Sequence, residues 1–375
     1  MRQRDDVGSL ADITAAAMRT TGLTDLGDDT HEEGLQVLLK DYATVSGLTD
    51  VGNYRMRGMV KGLLVAKLMA QQGFSANPAS KDVAIEKPVF IMGLPRSGTT
   101  LLQRLMTADP AHQGLEQWLA DLPQPRPPRD TRESDPIFSA MQGGYAAFHE
   151  ANPELAGLHY SDAASHEECW RLLQHAGRSV AFETRAFTPS YSAWLREQDW
   201  TPAYERHRDL LRLIGMHDAD QRWILKNPSH LVALDAIRTV HPEAVIVVTH
   251  RDPVACTASM CSLAAASTRG TSDVFVGDTI GRTQLDLLVR EQAALRASPH
   301  SGDVIDVAYG DLVADPLSTL RSVYAEAGLT RNDAVAAAAS AELARSRSGV
   351  RAPKHAYDPA DYGLTEAQVR DALEA

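Results

Sequence analysis

The chain is short of three things: cysteine, positive charge and unbroken apolar stretches. Its 375 residues include three cysteines, Cys169, Cys256 and Cys261. They are too few and too scattered for a disulfide framework or a Cys-x2-Cys metal spacing, which points to a reducing compartment. His166 and His175 flank Cys169 closely enough on a helix to suggest zinc, but without a fourth ligand the group reads as packing. Lysine and arginine number 37 against 49 aspartates and glutamates, a formal net charge of −12. A general nucleic-acid binder needs an extended basic surface, so no nucleic-acid partner is expected and any anion site must be local. The start, Met1-Arg2-Gln3-Arg4-Asp5-Asp6, leads into no long apolar core, so a secretory leader is not expected and a cytoplasmic location is. Even the most apolar helix candidate, Met59 to Ala70, is only about a dozen residues and carries Lys61 and Lys67, too short and too charged to span a bilayer. There is no internal repeat of fixed period, and 44% hydrophobic with 23% charged residues is the balance of a folded protein rather than a disordered one.

What the chain does have is one stretch around which the rest is arranged, Val89-Phe90-Ile91-Met92-Gly93-Leu94-Pro95-Arg96-Ser97-Gly98-Thr99-Thr100-Leu101-Leu102. An apolar run breaks at a glycine, turns through Pro-Arg-Ser-Gly and restarts with helical periodicity: strand, phosphate loop, helix. Gly93 and Gly98 let the backbone turn tightly, so that the amides of Ser97, Gly98, Thr99 and Thr100 can face an anion from a helix N-terminus. Arg96 adds a cationic fork. The spacing nearly fits the Gly-x4-Gly-Lys-Ser/Thr loop of nucleoside triphosphatases, but Thr99 stands where the lysine should reach the terminal phosphates.

Residues 1 to about 82 read as helices between polar turns, with cap signals at Ser9-x-x-Asp12 and Thr30-x-x-Glu33. In the third helix Met56, Met59, Val60, Leu63, Leu64 and Leu68 form one apolar stripe. Asn77-Pro78-Ala79-Ser80 breaks that helix before the first strand. Pro123-Gln124-Pro125-Arg126-Pro127-Pro128 can be only an extended surface segment. From about 134 to 218 the pattern is mostly helical, including a segment after Ser165 that contains His166-Glu167-Glu168-Cys169-Trp170. This insertion, about 120–218, is the expected acceptor-binding cover. Strands then follow at Trp223 to Leu225, Ala244 to Thr249 and Val304 to Ala308, each ending in polar residues before a helix. That βαβ grammar predicts a parallel sheet with ligands at the carboxyl ends of its strands. The expected architecture is therefore a three-layer, P-loop-like α/β domain over 83–375, with an N-terminal helical attachment over 1–82.

Arg251 follows the strand Ala244 to Thr249, and Ser259 comes eight residues later, about two helical turns along. Together with Pro-Arg-Ser-Gly-Thr-Thr, this resembles the sulfotransferases that use 3′-phosphoadenylyl sulfate (PAPS), in which the first loop holds the 5′-phosphosulfate and an Arg and a Ser hold the 3′-phosphate. Lys226-Asn227-Pro228-Ser229-His230 is similar to the family's strand-end Lys-Ser/Thr-Pro segment, whose lysine reaches the transferring sulfuryl group. Tyr309-Gly310-Asp311-Leu312 with Asp315-Pro316, and Lys354-His355-x-Tyr357 with Gly363-Leu364, match patterns of bacterial members. The likeness covers roughly residues 20 to 370. It departs from the cytosolic eukaryotic enzymes, which carry lysine in the loop and an Arg-Lys-Gly near the C-terminus.

The resemblance implies sulfuryl transfer from PAPS to a hydroxyl of a small-molecule acceptor, leaving PAP, with no metal and no integral membrane segment; homo-oligomerisation stays open. Implied cofactor contacts are Arg96, Ser97, Gly98, Thr99, Thr100, Arg251 and Ser259, with Arg351 and Lys354 from the basic tail loop. Arg96 and Lys226 would stabilise charge. For the base, Glu116 stands about where tyrosylprotein and heparan-type sulfotransferases place a glutamate, with His230 second and His112 also in range. A kinase using ATP, favoured by Gly-x4-Gly and disfavoured by Thr99, and a non-catalytic nucleotide-binding module are the competing readings.

Overall fold

The structure is a computed structural model and describes residues 6–151, 162–348 and 357–374. Three helices come first, α1 (Leu10–Thr21), α2 (Glu32–Thr44) and α3 (Asp50–Ala76). Ser9 caps α1 as its sequence suggests, its hydroxyl accepting from the Asp12 amide at 3.2 Å. Thr30 does not cap α2: the helix starts after His31 without a side-chain cap, because the Thr30 hydroxyl is turned onto the Asp28 carboxylate at 2.5 Å. The α3 stripe packs as its spacing requires, with Val60, Leu64 and Leu68 fully buried among Leu35, Leu38, Phe182 and Tyr191.

Five strands form one parallel sheet in the order β2-β3-β1-β4-β5: β1 (Val89–Gly93), β2 (His112–Gly114), β3 (Arg222–Lys226), β4 (Val245–His250) and β5 (Ile305–Ala308). Both faces are covered. Val89 and Ile91 of β1 join Leu102, Leu105, Met106 and Leu320 on one side, while Phe90 and Met92 join Tyr204, Leu211 and Leu231 on the other. A strand buried on both faces must be apolar throughout, which is why β1 reads as a continuous run rather than an alternation. Each of these side chains contributes on the order of 1.5–3 kcal/mol by leaving water.

The chain leaves the central strand β1 through α4 (Thr99–Thr107) to one edge of the sheet and returns later on the other side, at β4. Such a reversal opens a crevice at the carboxyl ends of the strands. The register places the expected residues along it: Ile91 of β1 pairs with Lys226 of β3, and Gly93 pairs with Thr249 of β4, two residues before Arg251.

One segment departs from its sequence reading. Residues 163–169 are not helical; they turn at 163–165 and then run alongside the stretch after β2 over 166–168. The Gln117 and Trp118 amides donate to Ser165 and Ala163, and the Glu167 amide donates to Leu115 at 2.8 Å. Glu116 and His166 make an antiparallel bridge. A helix resumes only at Trp170–Leu173, since these edge pairings already occupy the backbone groups a helix would need. Among the described residues no helix is long and apolar enough to cross a membrane.

Candidate active site

The loop between β1 and α4 owes its shape to three residues at positive φ: Gly93 at 141°, Arg96 at 71° and Gly98 at 100°. A Cβ on Gly93 would lie 2.3 Å from the Thr249 carbonyl oxygen, so β1 and β4 approach closely only because that atom is absent. Arg96 is the costly one, since a long side chain adopts this conformation only when its surroundings hold it there. They do hold it. The Arg251 guanidinium donates to the Arg96 carbonyl at 2.8 Å, and Arg96 Nε donates to the Ser259 hydroxyl at 3.2 Å. Arg251 also lies over the Tyr309 ring, 4.3 Å from its centroid.

Arg96, Arg251 and Ser259, the three residues implied by the family resemblance as cofactor contacts, thus meet at one point. The helix carrying Ser259, Pro253–Ser267, is pinned at its start by Asp252, whose carboxylate accepts from the Ala255 amide at 2.9 Å. Gly98 caps α4 without any side-chain acceptor, so the amides of its first turn, at Thr99 and Thr100, remain available to an anion. Ser97 is placed differently. Its amide donates to the Leu94 carbonyl, and its buried hydroxyl bonds Leu94 at 2.6 Å and Thr249 at 2.5 Å. The hydroxyl stitches the loop to β4. Arg351 and Lys354 lie outside the described residues.

Lys226 ends β3 with its side chain 4% exposed, and its Nζ donates to Glu168 Oε1 at 2.6 Å. The backbone fixes this pair, the Cys169 amide donating to the Lys226 carbonyl at 3.0 Å. Glu116 is buried and both carboxylate oxygens are occupied: Trp118 Nε1 donates to Oε2 at 2.7 Å and Arg132 to Oε1 at 3.2 Å. His230 is fully buried in a ring cluster with Phe90, Tyr204 and His207. Its Nδ1 lies 2.6 Å from the Tyr204 hydroxyl, and burial, with Lys226 nearby, pushes its imidazole down to about 3. His112 Nδ1 is tied to the Met106 carbonyl at 2.8 Å.

The residues the sequence did not single out are Glu168 and Tyr309. Glu168 lies in a segment that reads as helix, where a carboxylate next to a cysteine carries no signal; only the non-helical conformation brings it to Lys226. Tyr309 was quoted as part of a pattern, but nothing in its spacing says that its ring supports a guanidinium.

The fold and the loop together define a P-loop-like enzyme, and the chain belongs to the sulfotransferase family, whose model matches residues 88–333. Sulfotransferase STF1 from Mycobacterium tuberculosis superposes with a TM-score of 0.91 at 44% identity, over 99% of each chain. Sulfotransferase STF9 from Mycobacterium avium does so at 0.89 and 25% identity, over 100% of this chain and 97% of that one. The omega-hydroxy-beta-dihydromenaquinone-9 sulfotransferase Stf3 of Mycobacterium bovis is 27% identical over 272 residues, 67% of this chain and 65% of that protein, so the match spans less than two thirds of that relative's length.

Proposed function

We propose that the chain transfers a sulfuryl group from PAPS to a hydroxyl of a small-molecule acceptor. The observation that carries this is the bonded trio Arg251, Arg96 and Ser259 beside an uncapped helix start that lacks the P-loop lysine. A guanidinium fork and a hydroxyl suit a 3′-phosphate dianion, while the first-turn amides and the Arg96 side chain suit the 5′-phosphosulfate. Arg351 and Lys354 belong to this reading as further cofactor contacts from the basic loop. Lys226 stabilises the charge that develops as the bridging S–O bond breaks, and positioning with electrostatics supplies most of the acceleration, as in phosphoryl transfer. The Mycobacterium bovis relative's name describes a lipid carrying a hydroxyl, so lipid alcohols belong among the acceptors to be tried. The buried free thiols Cys169, Cys256 and Cys261 favour a reducing, cytoplasmic setting.

Thermal shift tests the donor. PAP is expected to raise the melting temperature and ATP with Mg²⁺ to leave it unchanged; at about 100 Kd a bound ligand adds ~2.7 kcal/mol. An equal or larger shift with ATP would transfer the site to a kinase. Labelled PAPS offered to a mixture of phenols, sterols, lipids and sugars, read by mass shift, then identifies the acceptor class.

A further inference from the structure

The acceptor hydroxyl must give up its proton, and the geometry points to Glu168 as the group that takes it; this rests on the sulfotransferase reading above. Glu116 is buried with both oxygens engaged by Trp118 and Arg132, and His230 is buried with no exposed surface. Glu168 differs on each count. Among the described residues it is the carboxylate ion-paired with Lys226, at 2.6 Å, and its side chain keeps 29% of its surface open. An incoming alcohol can reach it, and so can the water that later removes the proton.

Its position is set by backbone rather than by a flexible side chain. The Glu167 and Cys169 amides are bonded to the stretch after β2 and to the end of β3, and the Glu168 amide itself donates to Glu167 Oε1 at 2.7 Å. Glu167, Arg185 and the buried Glu291 are charged groups near Glu168. In the resting site the carboxylate holds the ammonium. When the donor arrives, Lys226 turns to a sulfuryl oxygen, and Glu168 Oε1 is released to accept from the acceptor hydroxyl. As the acceptor O–S bond forms, the bridging S–O bond of PAPS breaks and its electron pair stays on the phosphate oxygen of PAP. The acceptor proton passes to Glu168 and from there to solvent.

Glu168→Gln is the informative change, since the amide oxygen can still accept from Lys226 but no longer takes a proton. Turnover of labelled PAPS with the mixed alcohol and phenol acceptors is expected to fall roughly 10²–10⁴-fold, with the PAP-induced thermal shift unchanged. Glu168→Ala, losing the same activity, is expected to recover part of it when formate is added, rising with formate concentration. Near-normal turnover in Glu168→Gln overturns the assignment. So does loss without formate rescue, which would make Glu168 only a positioning residue for Lys226. Failure of PAP to stabilise the parent chain is a separate outcome, which refutes the donor reading and the base with it.

Discussion

Arg251 has two duties, and removing it exposes both. Its guanidinium faces the expected 3′-phosphate site while already holding the Arg96 carbonyl and lying on Tyr309. Arg251→Ala is expected to weaken PAP by about 1.5–3 kcal/mol, the range of a lost charge-assisted contact, in a calorimetric titration, and binding of adenosine 5′-phosphosulfate is expected to change less. Arg251→Lys is not expected to recover it, because an ammonium lacks the planar fork. A second residue-scale expectation concerns Glu291, whose carboxylate is fully buried with neither oxygen well hydrogen-bonded. Burial pushes it up to about 7 from the ordinary 4.5, against the pull of Ser229 and Arg290. The folded chain therefore holds this proton more tightly than the unfolded one, so stability is full below 4.5 and is lost as pH rises through about 7. Glu291→Gln is expected to remove that loss, gaining roughly 1–3 kcal/mol at pH 8 in urea melts. The trio Arg96, Arg251 and Ser259 was legible because its residues lie in short motifs near strand ends that resemble those of the sulfotransferases. Glu168 was not, because its role depends on a tertiary pairing that turns a helical-looking segment into an extended one.

At the scale of elements, the phosphate loop tolerates little. Alanine at Gly93 would meet the Thr249 carbonyl at 2.3 Å and hydroxyl at 2.5 Å, at a φ of 141°. Gly93→Ala is expected to lose PAP binding and to lower the melting temperature, with Gly62→Ala as the control, since its Cβ would meet nothing within 4 Å. The long strands β1, β3 and β4 announce themselves as apolar runs bounded by turn residues. β2 does not: His112, Gln113 and Gly114 are three residues of no strand character, made a strand by pairing with β3. Similarly, the α2 start was misread because Thr30 had a better partner in Asp28 than in the helix. Local signals lost wherever another partner made a stronger offer, two residues away for Thr30 and across the sheet for β2.

Across the whole molecule, the N-terminal helices are fastened to the rest by a buried ammonium. Lys67, with no exposed side-chain surface, pairs with Asp28 at 2.8 Å and donates to the His175 carbonyl at 3.2 Å. Despite its burial, Asp28 is held at about 2, with Lys67 and Thr30 pulling it down. Asp28→Asn leaves Lys67 uncompensated and is expected to cost about 3–5 kcal/mol in chemical denaturation. The acid side of the stability profile is set elsewhere. Burial holds His31, His112, His166, His175, His207, His230 and His241 below the usual 6.5. The unfolded chain takes up those protons first, so stability falls as pH drops below 6.5, by up to about 1.4 kcal/mol per pH unit for each imidazole. Against a total on the order of 5–15 kcal/mol, unfolding is expected well above pH 4, as circular dichroism against pH would record.

The bond from Arg251 to the Arg96 carbonyl also makes the two ends of the donor inseparable to this protein. On the proposed reading, one guanidinium holds the loop that would grip the sulfuryl end and faces the place proposed for the nucleotide's far phosphate, so a donor without that phosphate would leave Arg251, and the loop it holds, less firmly anchored. Discrimination against such a donor should then be written into the speed of the chemical step as well as into occupancy, a lowered kcat beside a raised KM. Counterfeit nucleotides would be admitted and yet left largely unspent.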